Sequence, residues 1–483
     1  MKTGINRLQR TTGAGSSGRC SANLSRSALG FEFLQTKKGE TELTVAPTDP
    51  SSAPGGMLRI LGLTFGVAVA IGGTIGAGIM RTPSQIANRL PSVPLIMLAW
   101  AAGAFYALLG AWSLGELGAM IPSSGAFYTI ARRAYGDFVG FVVGWTDWVG
   151  QCGSGAAAAI LAGEYGRDLL PSLSHPILTA TAMAAIIALL QWRGIRWGSR
   201  FQNVTSAITA LVFFGLIATA YLWPHHAPPI NAEIAMIPKG WPFVFSLVLV
   251  FQAVIYTFDG WYCSLYFGDE IKNPGREMPR SMLSGVLLLS AIYLLTNGAL
   301  FHVLGIAGVA KENLPVAALG AAIFGRVGNA AVRALMVLAL AALANSSFLA
   351  ATRVLYAMSR DGWGPRGITR VNSGGTPSVA LLLTTCATMI FLLSGSFDTV
   401  IAVTTFFFVA RYAMSYLAVF RLRQSEPDTP RPFRAWGYPW TTAAAVAGSV
   451  AFLIAVIASD TRNSTYSFVV LLASYPIYRL AQR

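Results

Sequence analysis

The sequence predicts an all-α membrane protein of twelve spanning helices, and three observations carry that expectation. Of the 483 residues, 54% are hydrophobic and only 11% are charged, against about a quarter charged in soluble domains. A surface so poor in charge fits the lipid bilayer, where the outside of a protein is as apolar as its core. From Met57 onward the chain is a train of apolar runs of roughly twenty residues, the length that crosses about 30 Å of hydrocarbon. Two of those runs, the first and the sixth, are interrupted by glycine or by an acid.

The runs place spans at 58–88, 94–120, 138–163, 176–193, 202–223, 243–268, 282–305, 329–357, 377–395, 399–422, 441–459 and 464–481. They are solidly apolar rather than alternating, which excludes an outer-membrane barrel. Residues 1–56 are polar, rich in Ser, Gly, Arg and Lys, and without an apolar period. They read as a disordered cytoplasmic extension with no signal-peptide core; a start at Met57 is the alternative.

A net charge of +15 suggests nucleic acid in a soluble chain. Here the charges cluster in the short loops between apolar runs, so they read as topology and no nucleic-acid partner is expected. With the N-terminus inside, the loops on its side carry more than twice as many Lys and Arg as the opposite loops. Both termini are therefore expected in the cytoplasm of a multi-pass inner (plasma) membrane protein. The four cysteines (Cys20, Cys152, Cys263, Cys386) are scattered without CxxC spacing and the four histidines form no HExxH. Neither a metal site nor a cofactor is expected.

Span one contains Ile71-Gly72-Gly73-Thr74-Ile75-Gly76-Ala77-Gly78-Ile79, four glycines in seven positions at about mid-membrane. Each glycine costs roughly 0.8–1 kcal/mol in a helix relative to alanine, so the run invites unwinding, which at this depth is tolerated only against protein or a cavity. Close helix packing through small residues is the competing explanation. Span six reads Tyr256-Thr257-Phe258-Asp259-Gly260-Trp261, and an Asp at a helix centre costs about 2.5–3.5 kcal/mol on the insertion scale. Interruptions in matching positions of two halves point to a transporter's binding site. Freed amides after Gly76 suit a carboxylate, and freed carbonyls of Thr74, Phe258 and Asp259 suit an ammonium. An α-amino acid carries both groups on one carbon.

The chain resembles the amino acid–polyamine–organocation superfamily, and within it bacterial relatives of the L-type amino acid transporters. The glycine run is similar to that family's GxxIGSGIF. Glu116-Leu117 with Pro122-Ser123-Ser124-Gly125-Ala126-Phe127-Tyr128 is similar to EL…PxSGGxY. Asp259-Gly260-Trp261 with Asp269-Glu270-Ile271-Lys272-Asn273-Pro274 resembles YDGW…EExKNP, and Arg353 to Gly362 follows at family spacing. The likeness covers roughly residues 57–425.

It implies two inverted five-helix repeats, 57–223 and 224–425, followed by two further helices in 426–483. It implies a secondary active transporter that binds the amino acid zwitterion at Thr74, Ile75, Gly76, Ala77, Gly78, Tyr256, Phe258, Asp259 and Gly260. The amides of Ala77 and Gly78 would take the carboxylate, the carbonyls of Thr74 and Asp259 the amino group, and Phe258 or its neighbours would form a thin gate. Two departures stand out: Ala77 replaces a serine, and Thr209 stands where relatives often place a lysine. Coupling is left open between sodium, a proton and uncoupled exchange, with Gly72, Ile75, Thr209, Leu343, Ser346 and Ser347 as a candidate sodium set. Back-bonding of the two serines to carbonyls one turn earlier is the plainer reading. Asp147 is read equally as a pathway or a structural acid, Glu116 as a partner of loop arginines, and Arg411 as snorkelling or paired. Alternatives are a polyamine or cationic amino acid carrier, a non-transporting amino acid sensor and a channel; no motif of an intramembrane enzyme is present.

Overall fold

The computed structural model describes residues 56–169, 175–223, 239–393, 397–459 and 461–481, so the N-terminal extension, apart from Gly56, lies outside the described residues. The helices are α1 (Leu63–Thr74), α2 (Ala77–Arg89), α3 (Val93–Met120), α4 (Phe127–Tyr135), α5 (Asp137–Leu169), α6 (Pro176–Trp192), α7 (Ile195–Leu222), α8 (Trp241–Phe258), α9 (Pro274–Lys311), α10 (Pro315–Arg360), α11 (Ser378–Leu393), α12 (Phe397–Ser425), α13 (Trp440–Ser459) and α14 (Thr461–Ala481). Among the described residues extended chain pairs only in isolated bridges. Each apolar run placed from the sequence overlaps a helix. By length and composition α3, α7, α8, α9 and α10 suffice to cross a membrane, and the bent pair α1–α2 makes a sixth.

Proline opens α3, α6, α8, α9 and α10 within the first two positions, where its missing N–H costs nothing and its fixed φ already suits a helix. Three features depart from the apolar pattern. α7 starts at Ile195 rather than near 202, because Gly198, Ser199 and Gln202 face the core while Arg196 and Arg200 face out, and hydropathy averages such an amphipathic turn away. α9 and α10 each run past the expected span through a kink, at Gly305 (φ 66°) and Gly325 (φ 63°), a conformation that glycine alone adopts readily. α4, read from the sequence as loop, buries Phe127, Tyr128, Ile130 and Ala134 and turns Arg133 outward. Its nine residues are too few for a span.

α5 lies at the centre and packs most extensively on α10, as α3 does on α9. The α5 stretch Gly155–Ala159 is fully buried, and a Cβ at Gly155 would sit 3.3 Å from the Phe348 ring. Small residues let the two backbones approach, since packing rather than water drives helix association in lipid.

One end of the bundle is closed by ion pairs. Leu61, just before α1, pairs with Ile271, receiving from Lys272 N–H and donating to Glu270 C=O. Next to it Glu270 takes a two-pronged bond from Arg353 at 2.9 and 3.0 Å, both side chains at 0% exposure. Asp269 accepts from Arg360 at 2.8 Å and from Ser124 N–H at 3.1 Å. Glu116, at the end of α3, holds Arg423 through both oxygens and accepts from Ala435 N–H. The sequence-based reading of Glu116 as a partner of loop arginines agrees with this. Beyond α12, Arg133 bonds the Glu426 carboxylate and holds its pKa below the usual range.

Arg353 is the test of this closure. Arg353→Met strands the Glu270 carboxylate inside the fold and is expected to destabilise it by about 3–5 kcal/mol, the cost of breaking a buried pair from one side. Thermal unfolding in detergent should show a clear fall in midpoint, largely restored when Glu270→Gln is added. An unchanged midpoint in the single variant would remove the pair from the account of stability.

Candidate functional site

The glycine run ends a helix. α1 stops at Thr74, Ile75 and Gly76 are extended, and α2 starts at Ala77 after a 47° bend. Ile75 N–H still bonds Ile71 C=O at 2.8 Å. No side chain caps the α2 N-terminus, so its first amides keep their donors and the positive end of its dipole.

α8 breaks likewise. It stops at Phe258, Asp259 is extended, Gly260 has φ +117°, and a single 3-10 turn follows at Cys263–Tyr266. A Cβ on Gly260 would collide with the Gly73 carbonyl oxygen. Both the positive φ and this contact require glycine. The two breaks therefore lie against each other. The Tyr293 hydroxyl of α9 sits 3.0 Å from Thr257 C=O and 3.4 Å from Thr74 C=O. Thr82 and Thr257 share a hydrogen bond at 2.9 Å, tying α2 to α8.

Where the breaks diverge they leave a cavity of about 280 Å³, just under the 300–1,000 Å³ range of typical ligand pockets. Of the residues expected at a substrate site, Thr74, Gly76, Ala77, Gly78, Tyr256 and Asp259 line it, joined by Thr257, Ser154 of α5 and Phe408 of α12. Ile75, Phe258 and Gly260 are not in the lining. Ile75 is fully buried, and Gly260 backs onto Gly73. The Phe258 ring packs against Trp100 and Tyr293, at centroid distances of 6.2 and 4.9 Å; it belongs to the α3–α9 core, and the aromatic rings over the cavity are Tyr256 and Phe408. Arg81 and Gln85 line both this cavity and a second one of about 500 Å³ bounded by Asp168 and Arg333. The Arg81 guanidinium lies over the Tyr165 ring, 5.5 Å from its centroid.

Beside the cavity is a charged cluster. Arg411 is 3% exposed and pairs with Asp147, 1% exposed. Its guanidinium lies within 4.3–4.8 Å of the Phe127, Tyr262 and Phe408 ring centroids, a cation–π enclosure. Tyr266 donates to Asp147 at 2.9 Å. Arg411 also donates to the Tyr262 hydroxyl, which donates onward to Asp259 at 3.2 Å; Tyr412 bonds the other Asp259 oxygen. Asp147 is thus a paired acid. The signal for the pair was a lone Asp in span three and an Arg in the middle of span ten, opposite charges that lipid would otherwise penalise.

The expected ion-coupling residues divide. A Cβ on Gly72 would overlap the Gln202 amide, and Ser206 donates to Ala68 C=O at 2.7 Å. Gln202 also accepts from Asn345, which accepts from Gln191, so a neutral amide chain links α1, α6, α7 and α10. The Thr209 and Ser346 hydroxyls are buried without a hydrogen-bond partner. Ser346 faces the α1 break, with its hydroxyl 3.0 Å from a Cβ built on Gly73. Ser347 instead bonds Ser154 at 3.4 Å, and the Leu343 side chain lines the cavity.

A family model described as amino acid permease matches residues 58–478. A serine/threonine exchanger of Bacillus subtilis (strain 168) is 27% identical over 436 residues, covering 88% of this chain and 97% of that protein. The human cystine/glutamate transporter is 26% identical, covering 87% of this chain and 85% of its own length. The mouse b(0,+)-type amino acid transporter 1 is 25% identical over 385 residues, or 77% and 78% of the two chains. With the match running through the whole helical body, the chain belongs to the amino acid permease family, a multi-pass membrane transporter of amino acids rather than an enzyme.

Proposed function

We propose that the amino acid zwitterion binds in the cavity between the two helix breaks. The observation that supports this most is the convergence of opposite polar ends on one small space. The uncapped amides at Ala77 and Gly78 face it from one side, and Thr74 and Asp259 from the other. The carboxylate goes to the α2 N-terminus, and the ammonium to the carbonyl acceptors and the Asp259 carboxylate. Tyr256 and Phe408 close over the side chain. The chain then forms twelve spans in two inverted five-helix repeats plus a C-terminal pair, with both ends in the cytoplasm of the plasma membrane. In that orientation the ion-paired end is the closed cytoplasmic face and the Arg81–Gln85 mouth opens outward.

Small neutral amino acids fit this cavity best. Ser154 and Thr257 offer hydroxyls to a polar side chain, in keeping with the serine/threonine specificity in the name of the B. subtilis relative. Arg81 in the wall opposes a second cation, which weakens the polyamine and cationic amino acid reading. A sensor would use the same site; uptake into liposomes separates it from a carrier. A sodium site is a second reading, favoured by the unpartnered hydroxyls of Thr209 and Ser346, with the carbonyls of Gly72, Ile75 and Leu343 as further oxygens.

Gly78 is the most direct test. A Cβ there would come within 3.0–3.2 Å of Thr257, and a valine places further carbons in the carboxylate's approach. Gly78→Val should abolish the thermal stabilisation that amino acids confer, with the protein still folded; undiminished affinity would sink the site. In competition uptake, neutral amino acids should outcompete lysine, arginine and putrescine at equal concentration, and the reverse order would overturn the selectivity. For sodium, replacement by choline should slow uptake, with Thr209→Val and Ser346→Ala removing the difference. Equal rates in the two salts at fixed pH would dismiss the ion.

A further inference from the structure

The charges around the cavity are not evenly paired. Arg411 makes its ion pair with Asp147 and reaches Asp259 only through the Tyr262 hydroxyl. Asp259 itself accepts hydrogen bonds from Tyr262 and Tyr412, and no guanidinium or ammonium lies within ion-pair distance of it among the described residues. The other enclosed acids do better: Glu270 has Arg353, Glu116 has Arg423 and Arg431, and Asp269 has Arg360. Its remaining neighbours are neutral or remote. Cys263 lies on the same turn and Tyr256 on α8. Tyr416 stacks behind Tyr412, at 6.1 Å. Arg81 lines the same cavity, but its guanidinium rests on Tyr165 at the mouth shared with the second cavity. One acid in the lining of the substrate space therefore has no fixed cation of its own.

We propose that Asp259 carries a proton when the cavity is empty and exchanges it for the ammonium group of an incoming amino acid. The step balances. The protonated Asp259 carboxyl gives its proton to water, the resulting carboxylate pairs with the substrate's ammonium, and the substrate's own carboxylate, the one negative charge added, is taken by the amides and dipole of the α2 N-terminus. The inference rests on the zwitterion binding between the two breaks, and it adds a rule for the transport cycle. While the carrier changes face the cavity is closed to water, and a carboxylate held by two tyrosine hydroxyls but without water or a cation is disfavoured. A loaded carrier crosses with Asp259 paired to the substrate's ammonium, whatever the pH. An empty carrier crosses only with the proton in place. Exchange of one amino acid for another then needs no proton, whereas net movement sends one proton against each amino acid. The carrier works as an exchanger in alkaline conditions, and acid opens the empty return.

Calorimetric titration of the purified full-length carrier with each of the standard L-amino acids, in two mildly acid buffers of different ionisation heat, counts the protons. Close to one proton released per bound amino acid is expected for the wild type and none for Asp259→Asn. Wild-type binding with identical heats in the two buffers overturns the proton exchange and leaves the binding site standing. Failure of every amino acid to bind a carrier that still shows its thermal transition overturns both. In liposomes, efflux into amino-acid-free buffer should accelerate several-fold as the pH falls, while exchange against saturating amino acid should not. Efflux as fast as exchange in alkaline buffer would overturn the rule for the empty return even where Asp259→Asn cannot be produced.

Discussion

The contact between the Gly73 carbonyl and the backbone of Gly260 is the constraint around which the rest of the structure is arranged. Broken helix in a membrane interior leaves amides and carbonyls that lipid cannot satisfy, and it survives only where protein or a cavity takes them up. Here each break buries part of the other. Gly260 can approach because it has no side chain and because φ +117° turns the chain away at once. Tyr293 reaches into the seam from α9, and the Thr82–Thr257 bond fastens its far side. The helices leave this junction in different directions, and the space between them is the cavity. A site rich in main-chain donors and acceptors is thus a by-product of packing two interrupted helices against each other.

The polar groups are sorted by depth. Strong ion pairs with direct carboxylate–guanidinium contact gather at one end, where Asp269 and Glu270 clamp α10 to the chain leaving α8 and to the turn before α4. At the level of the breaks a single arginine, Arg411, serves two acids, one directly and one through tyrosine. Beyond the cavity, toward its mouth, Arg81 meets an aromatic ring rather than an acid. Direct pairs make the closed end rigid, and hydroxyl-mediated contacts near the cavity leave Asp259 able to change partner without dismantling its surroundings.

Much of this was legible in the sequence, and the reasons are physical. Lipid punishes charge and broken backbone, so the glycine run at 72–78 and Asp259 stood out against an apolar background and fall at the breaks. The motif residues Glu116, Ser124, Asp269, Glu270, Arg353 and Arg360 were recognisable singly; that they converge on one end is a fact of tertiary structure with no local trace. α4 was missed because nine residues with a buried face on one side and arginines on the other average to a polar loop. Phe258 lies off the cavity that its neighbour Tyr256 lines, because each step along a helix turns a side chain by about 100°, and only the packing of Trp100 and Tyr293 decides which way it goes. Arg81 carried no signal of its own, since nothing in composition distinguishes a cation at a membrane surface from one in the wall of a cavity.

Tyr293 carries a consequence of its own. Its hydroxyl has one hydrogen and stands between two carbonyls, Thr257 at 3.0 Å and Thr74 at 3.4 Å. The two carbonyls share that one hydrogen. The main chain is therefore rich in acceptors at the point where α1 ends. Replacement of the residues that set the size of the cavity can alter which solute fits, while the appetite for a hydrogen-bond donor persists. A scaffold of this kind can change its cargo in small steps and keep the same head group in hand throughout.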